Sequence, residues 1–198
     1  MDQLGPTLNV ALRASILYFL AEVMLNQADR RFAGKAIPIR NLVIVLTFSS
    51  LFPVLTRISP KRWTRYPAWL DDLYLSIFWL DMAGNSFDLY DRLFYFDLVP
   101  HFHSTGAVAV VLRALGSSHL GAIGMANVIH MLLEAQEYYT DVVFGTHNVR
   151  GLFDTVNDLV AGVAGTALYG LARAAWERRR PARTAVSVAP RAWRDAPA

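Results

Sequence analysis

The residues of this chain able to do chemistry are histidines and carboxylates. It contains no cysteine, so disulfides, iron–sulfur clusters, thiolate zinc sites and cysteine nucleophiles are excluded, and a metal site must draw on His, Asp, Glu or backbone oxygen. At 3.6 residues per turn, His130, Glu134, Glu137 and Asp141 fall at roughly 0, 40, −20 and 20 degrees around a helix, one stripe on one face. Asp97 and His101 stand one turn apart on a common face with Ser104 following, whereas His103 points away and reads as a packing or interface residue. Asp154 and Asp158 share a face that runs on into Ala161 and Gly165, and Asp81, Asn85 and Asp88 repeat the same spacing. Carboxylates and neutral imidazoles ligate zinc, manganese, iron or magnesium. Asp97, His101, His130, Glu134 and Glu137 are therefore candidate ligands of a divalent metal, although their spacing matches no strict signature such as H-E-x-x-H.

The elements that must position these groups are set by an apolar composition. The 198 residues fit one domain, and 54% of them are hydrophobic with a positive mean hydropathy, too apolar for an ordinary soluble domain. The net charge is +3. The arginines lie between apolar stretches instead of forming a basic groove, so they read as topology signals; membrane lipids, not nucleic acid, are the expected partners. Windows of about 20 residues, long enough to cross a hydrocarbon core of roughly 30 Å, run from Leu8 to Ala28, Asn41 to Ile58, Ala68 to Phe87, Leu98 to Leu115, Ser118 to Tyr138 and Thr155 to Trp176. They are continuously apolar instead of alternating, which excludes an outer-membrane barrel and leaves helices. The predicted fold is all-α, a polytopic bundle of about six transmembrane helices over residues 1–176, followed by a basic Pro/Ala/Arg-rich tail over 177–198 that reads as disordered. The first window carries Arg13 and Glu22 and reads as a retained helix, not a cleaved leader. Trp63, Tyr66, Trp69 and Trp176 stand where helices enter or leave the interface. Gly162, Thr166 and Gly170, and Ala122 with Ala126, mark close helix contacts.

The positive-inside rule orients the bundle. Arg13, Arg57, Lys61, Arg62, Arg65, Arg113 and the cluster from Arg173 to Arg183 fall at one end; Arg30, Arg31, Lys35, Arg40, Arg92 and Arg150 fall at the other. The first set places both termini in the cytoplasm, while the basic first loop argues against it. With this topology all four polar stripes reach the non-cytoplasmic end at similar depth and form one acidic, histidine-containing vestibule. Its residues are Asp97, His101, His130, Glu134, Glu137, Asp154 and Asp158, with Asp81, Asn85 and Asp88 beside them. Such a vestibule binds a cation or a polar lipid headgroup; in a catalytic version it holds a metal against a lipid-linked substrate with Asp154 or Asp158 as base. Coupled proton or cation transport uses the same groups. A fourth reading is purely structural, a satisfied network with Arg92 and Arg150 holding the bundle together.

The run Tyr95-Phe96-Asp97-Leu98-Val99-Pro100-His101-Phe102 resembles the F-D-x-x-x-H-F segment of the YjdF-like family of uncharacterised bacterial inner-membrane proteins. The stretch from Glu134 to Gly165, with Phe144-Gly145-Thr146 and Phe153-Asp154-Thr155-Val156-Asn157-Asp158, is similar to the same family. A fainter likeness reaches VanZ-type membrane proteins, which share an early D-x-x-x-H, a mid Glu and a late D-x-x-N, here Asp154 to Asn157. The resemblance covers roughly residues 80–170. It implies a multi-pass protein of a bacterial plasma membrane with a site at Asp97, His101, Glu134, Glu137, Asp154 and Asp158, and no particular reaction; His130 is added by geometry alone.

Overall fold

The computed structural model describes residues 4–63 and 65–179. Among the described residues every regular element is helical. In chain order these are α1 (Leu4–Leu25), α2 (Ile37–Val43), a π-helical turn (Ile44–Phe48), α3 (Leu51–Ile58), α4 (Ala68–Ser86), α5 (Leu89–Arg92), α6 (Leu98–Ala114), α7 (His119–Phe144) and α8 (Leu152–Arg179). Each apolar window of the sequence except the second falls on a single helix, with shifted ends. α7 runs six residues beyond Tyr138, and α8 carries through Glu177 to Arg179, where the sequence reading began the tail; residues 180–198 lie outside the described residues.

The second window is not one regular helix. Pro53 lacks the N–H that would bond the carbonyl four residues back, and that carbonyl, on Ser49, instead accepts Arg13 Nη1 at 2.6 Å. The break thus fastens the second segment to α1. α7 stops because Gly145 takes a left-handed backbone, φ 66°, with its N–H on the Asp141 carbonyl, a conformation that side-chain-bearing residues resist.

α6 is the central helix, packing on α4, α7 and α8, while α1 lies against α4. Ile16, Phe19, Leu75, Met82 and Ala83 form a core between α1 and α4; Phe52, Leu70, Tyr74, Val110 and Val111 form another among α3, α4 and α6. The polarity across α7 is inverted relative to a soluble protein. His130 and Glu134 are 4% and 6% exposed, whereas their neighbours Met131, Leu132 and Leu133 are 53%, 64% and 53% exposed. A helix that buries its charges and presents leucines outward matches an apolar solvent. Three segments, Thr7–Leu25, Ile37–Ile58 and Leu152–Arg179, are long and apolar enough to cross a membrane. α4 is long enough but carries Asp71, Asp72 and Asp81, and α6 is 17 residues long.

Candidate metal centre

Three helices supply the groups, and small residues let them meet. On α6, Asp97, His101 and Thr105 follow one another by single turns, and the Thr105 hydroxyl donates to the His101 carbonyl at 2.7 Å. On α7, His130 and Glu134 are likewise a turn apart. α8 closes the site with Asp158 and, one turn on, Gly162. A methyl group at Gly162 would collide with His130 Nδ1 and touch Thr105 Oγ1, and one at Gly165 would collide with the Phe102 carbonyl. Asn127 Nδ2 donates to Thr166 Oγ1 at 3.0 Å, tying α7 to α8 on the same face. Close approach at these glycines brings the α7 and α6 imidazoles together.

The resulting geometry is a triangle. His101 Nδ1 lies 2.8 Å from His130 Nε2, and each of those nitrogens lies 3.2 Å from Glu134 Oε1. The centre of such a triangle is about 1.8 Å from each corner, so the three atoms are spaced to accept one cation at ordinary bond lengths of ~2.0–2.1 Å. One of the three is otherwise in difficulty: Glu134 Oε1 is buried without a hydrogen-bond partner among the described residues. Buried polar atoms are normally satisfied, and a buried carboxylate oxygen facing two imidazole nitrogens is a donor set able to hold a divalent cation.

The other edge of the His101 ring faces two more carboxylates. Nε2 lies 3.3 Å from Asp97 Oδ1 and 3.9 Å from Asp158 Oδ1, and Asp158 Oδ1 is also buried without a partner. A proton on Nε2 directed at Asp97 leaves the Nδ1 lone pair aimed into the triangle, the usual carboxylate–histidine–metal arrangement.

The vestibule has a half-buried counter-charge that helix periodicity alone does not place there. Arg40, counted only as a first-loop charge, reaches Asp81 at 2.9 Å and Glu137 at 3.5 Å; Tyr90 donates its hydroxyl to Asp81 at 2.9 Å. Burial, together with the Asp81 carboxylate, pushes the Tyr90 phenol well above its ordinary value, so it remains a donor. The signal for Arg40 was its position at the foot of an apolar stretch, where an arginine needs a carboxylate. Arg92 and Arg150 do not serve this role; Arg150 Nη2 donates to the Tyr90 carbonyl.

The remaining candidates separate. Asn85 is buried and donates to the Asp81 carbonyl at 2.9 Å. Asp88, at φ 60°, pairs with Arg30 at 3.0 Å on the rim. Asp154 is turned to the start of α8, where its carboxylate accepts the Arg150 backbone N–H at 3.0 Å; it joins neither carboxylate–histidine triad, and neither does the half-buried Asn157. His103 does more than pack, bonding Ser76 Oγ and Tyr169 OH, each at 2.8 Å, to link α4, α6 and α8.

Asp141 shares the α7 stripe by angle but lies beyond the apolar window and is used otherwise. It accepts the backbone N–H groups of Asn148 and Val149, the Asn148 amide and the Thr146 hydroxyl, at 2.6–2.9 Å. Partial burial raises its pKa, but these donors outweigh it and hold the carboxyl below its ordinary value. Its folded pKa being depressed, its contribution is complete above the unfolded value near 4 and disappears as pH falls through the folded value. Asp141→Ala is expected to cost about 1 kcal/mol, as for a lost cap, and to speed backbone hydrogen exchange at Asn148 and Val149. The difference from wild type should shrink in acid; a difference that grows in acid contradicts the assignment.

No protein-family model, curated protein or solved structure matches the chain.

Proposed function

We propose that the chain is a membrane metalloprotein whose His101 Nδ1, His130 Nε2 and Glu134 Oε1 hold one divalent transition-metal cation, with six spans surrounding it. The observation that carries this is the triangle itself: three donor atoms at mutual distances of 2.8, 3.2 and 3.2 Å, one of them an unpartnered buried carboxylate oxygen. Two imidazoles and a carboxylate suit zinc or ferrous iron better than magnesium or calcium. Three protein ligands leave a coordination position for water or a polar headgroup oxygen, as exchangeable sites do and closed structural sites do not.

The likeness of Asp97, His101, Glu134 and their flanking residues to YjdF-like proteins supports a place in a bacterial plasma membrane, in contact with lipid and not with nucleic acid. Cytoplasmic termini are supported by the count of basic residues, eleven at that end of the bundle against six at the other. Arg30 pairs with Asp88, Arg31 with Glu22 and Asp29, Lys35 with Asp91, and Arg40 with Asp81 and Glu137. These pairs tie the first-loop cations to the fold at their own end of the bundle.

The test is metal analysis of purified, tag-free protein. At least one equivalent of zinc or iron, removed by chelator and restored by the metal ion, is expected; protein that neither carries nor takes up such a metal overturns the reading. Asp97→Asn should leave the fold in place and weaken metal binding about 10–100-fold, the usual effect of losing a carboxylate behind a histidine ligand. Unchanged affinity would remove Asp97 from that role.

A further inference from the structure

Resting on that reading, we infer that the site takes a second divalent cation between Asp97 and Asp158, with the His101 imidazole bridging the two ions. His101 presents a nitrogen to each of two donor sets. Nδ1 belongs to the triangle with His130 and Glu134, and Nε2 stands 3.3 Å from Asp97 Oδ1 and 3.9 Å from Asp158 Oδ1. One donor atom from each of Asp97, His101 and Asp158 lies within 4.8 Å of the others, the same spread that brackets the first set.

Two observations separate this second set from a chance gathering of acids. Asp158 is 3% exposed and its Oδ1 has no hydrogen-bond partner among the described residues, although it is aimed at the His101 ring. A single N–H on Nε2 satisfies only one carboxylate, and the nearer one, Asp97, takes it. A cation, which accepts several oxygen donors at once, satisfies both.

Charge argues the same way. Asp97, Glu134 and Asp158 gather around the His101 ring, Asp81 and Glu137 share Arg40, and Arg40 is the one arginine or lysine ion-paired to any of these five carboxylates among the described residues. With all carboxylates ionised the cluster carries four negative charges in excess, in surroundings where unpaired charge is expensive. One divalent ion on Glu134 cancels half of that excess and leaves the Asp97–Asp158 side uncompensated. Binding of the second ion displaces the proton from His101 Nε2 to solvent; the imidazole becomes an imidazolate, and the excess falls to a single negative charge.

The experiment is a copper(II) or zinc(II) titration of chelator-stripped, tag-free protein, followed by metal analysis and by the electron paramagnetic resonance of the copper-loaded form. Wild type is expected to bind two equivalents, Glu134→Gln and Asp158→Asn one each, and the fully loaded copper protein to lose signal intensity per copper because an imidazolate couples the two spins. One equivalent in wild type, lost with Glu134→Gln and kept with Asp158→Asn, overturns the second ion and leaves the first. Two equivalents at full, uncoupled intensity overturn the bridge. No bound metal overturns the proposed function as well. The intensity measurement needs only wild-type protein, so the inference stays testable if a variant fails to fold.

Discussion

Glu134→Gln is expected to have opposite effects on the metal-free and metal-loaded protein. In the metal-free state Glu134 Oε1 is buried, lacks a hydrogen-bond partner and lies 3.2 Å from two imidazole nitrogens. Exchanging the carboxylate for a neutral amide of the same shape removes the cost of a buried charge, so the metal-free variant should melt above metal-free wild type. Loaded with zinc the order reverses. Wild type gains stability in proportion to its occupancy, about 2.7 kcal/mol at a hundred times the dissociation constant, whereas the amide is a poor ligand and the variant should bind more than about 100-fold more weakly, beyond the loss typical of a supporting residue. Thermal unfolding in detergent with chelator and with zinc reads both signs. If wild type is indifferent to zinc and the variant is less stable under both conditions, Glu134 belongs to a structural network and the metal reading is wrong.

The second large effect is expected at Gly165. A Cβ there collides with the backbone carbonyl of Phe102, not with a side chain able to rotate away, so Gly165→Ala must push α8 off α6. Overpacking typically costs about 1–3 kcal/mol; with backbone as the obstacle, about 3 kcal/mol or more is expected. Since α8 carries Asp158 and α6 carries His101, metal affinity should fall together with stability. Gly124→Ala on α7 is the internal control. Nothing lies within 4 Å of a Cβ added there, and alanine's helix preference should stabilise the protein by about 0.5–1 kcal/mol. Equal effects at the two glycines would contradict the close α6–α8 contact. Gly162→Ala falls between them, because its obstacle is the His130 ring; it should spare the fold more than the metal.

What the sequence by itself determined is the helical class, the position of each long helix and the pairs of groups that share a helix face. Continuous apolar runs leave the backbone no partner but itself, so helix follows from composition; and a turn of 3.6 residues aligns Asp97 with His101 and His130 with Glu134 wherever the helix lies. Periodicity places groups on a face but says nothing of which neighbour that face meets. Only tertiary structure decided that the His101 and His130 rings touch, that Arg40 crosses from α2 to Asp81 and Glu137, and that Asp141 and Asp154, equally well placed by angle, turn to backbone N–H groups at helix ends. The reason is the competition at a helix terminus. A carboxylate one turn inside the bundle finds a cation or an imidazole, while one near an end finds free N–H groups first.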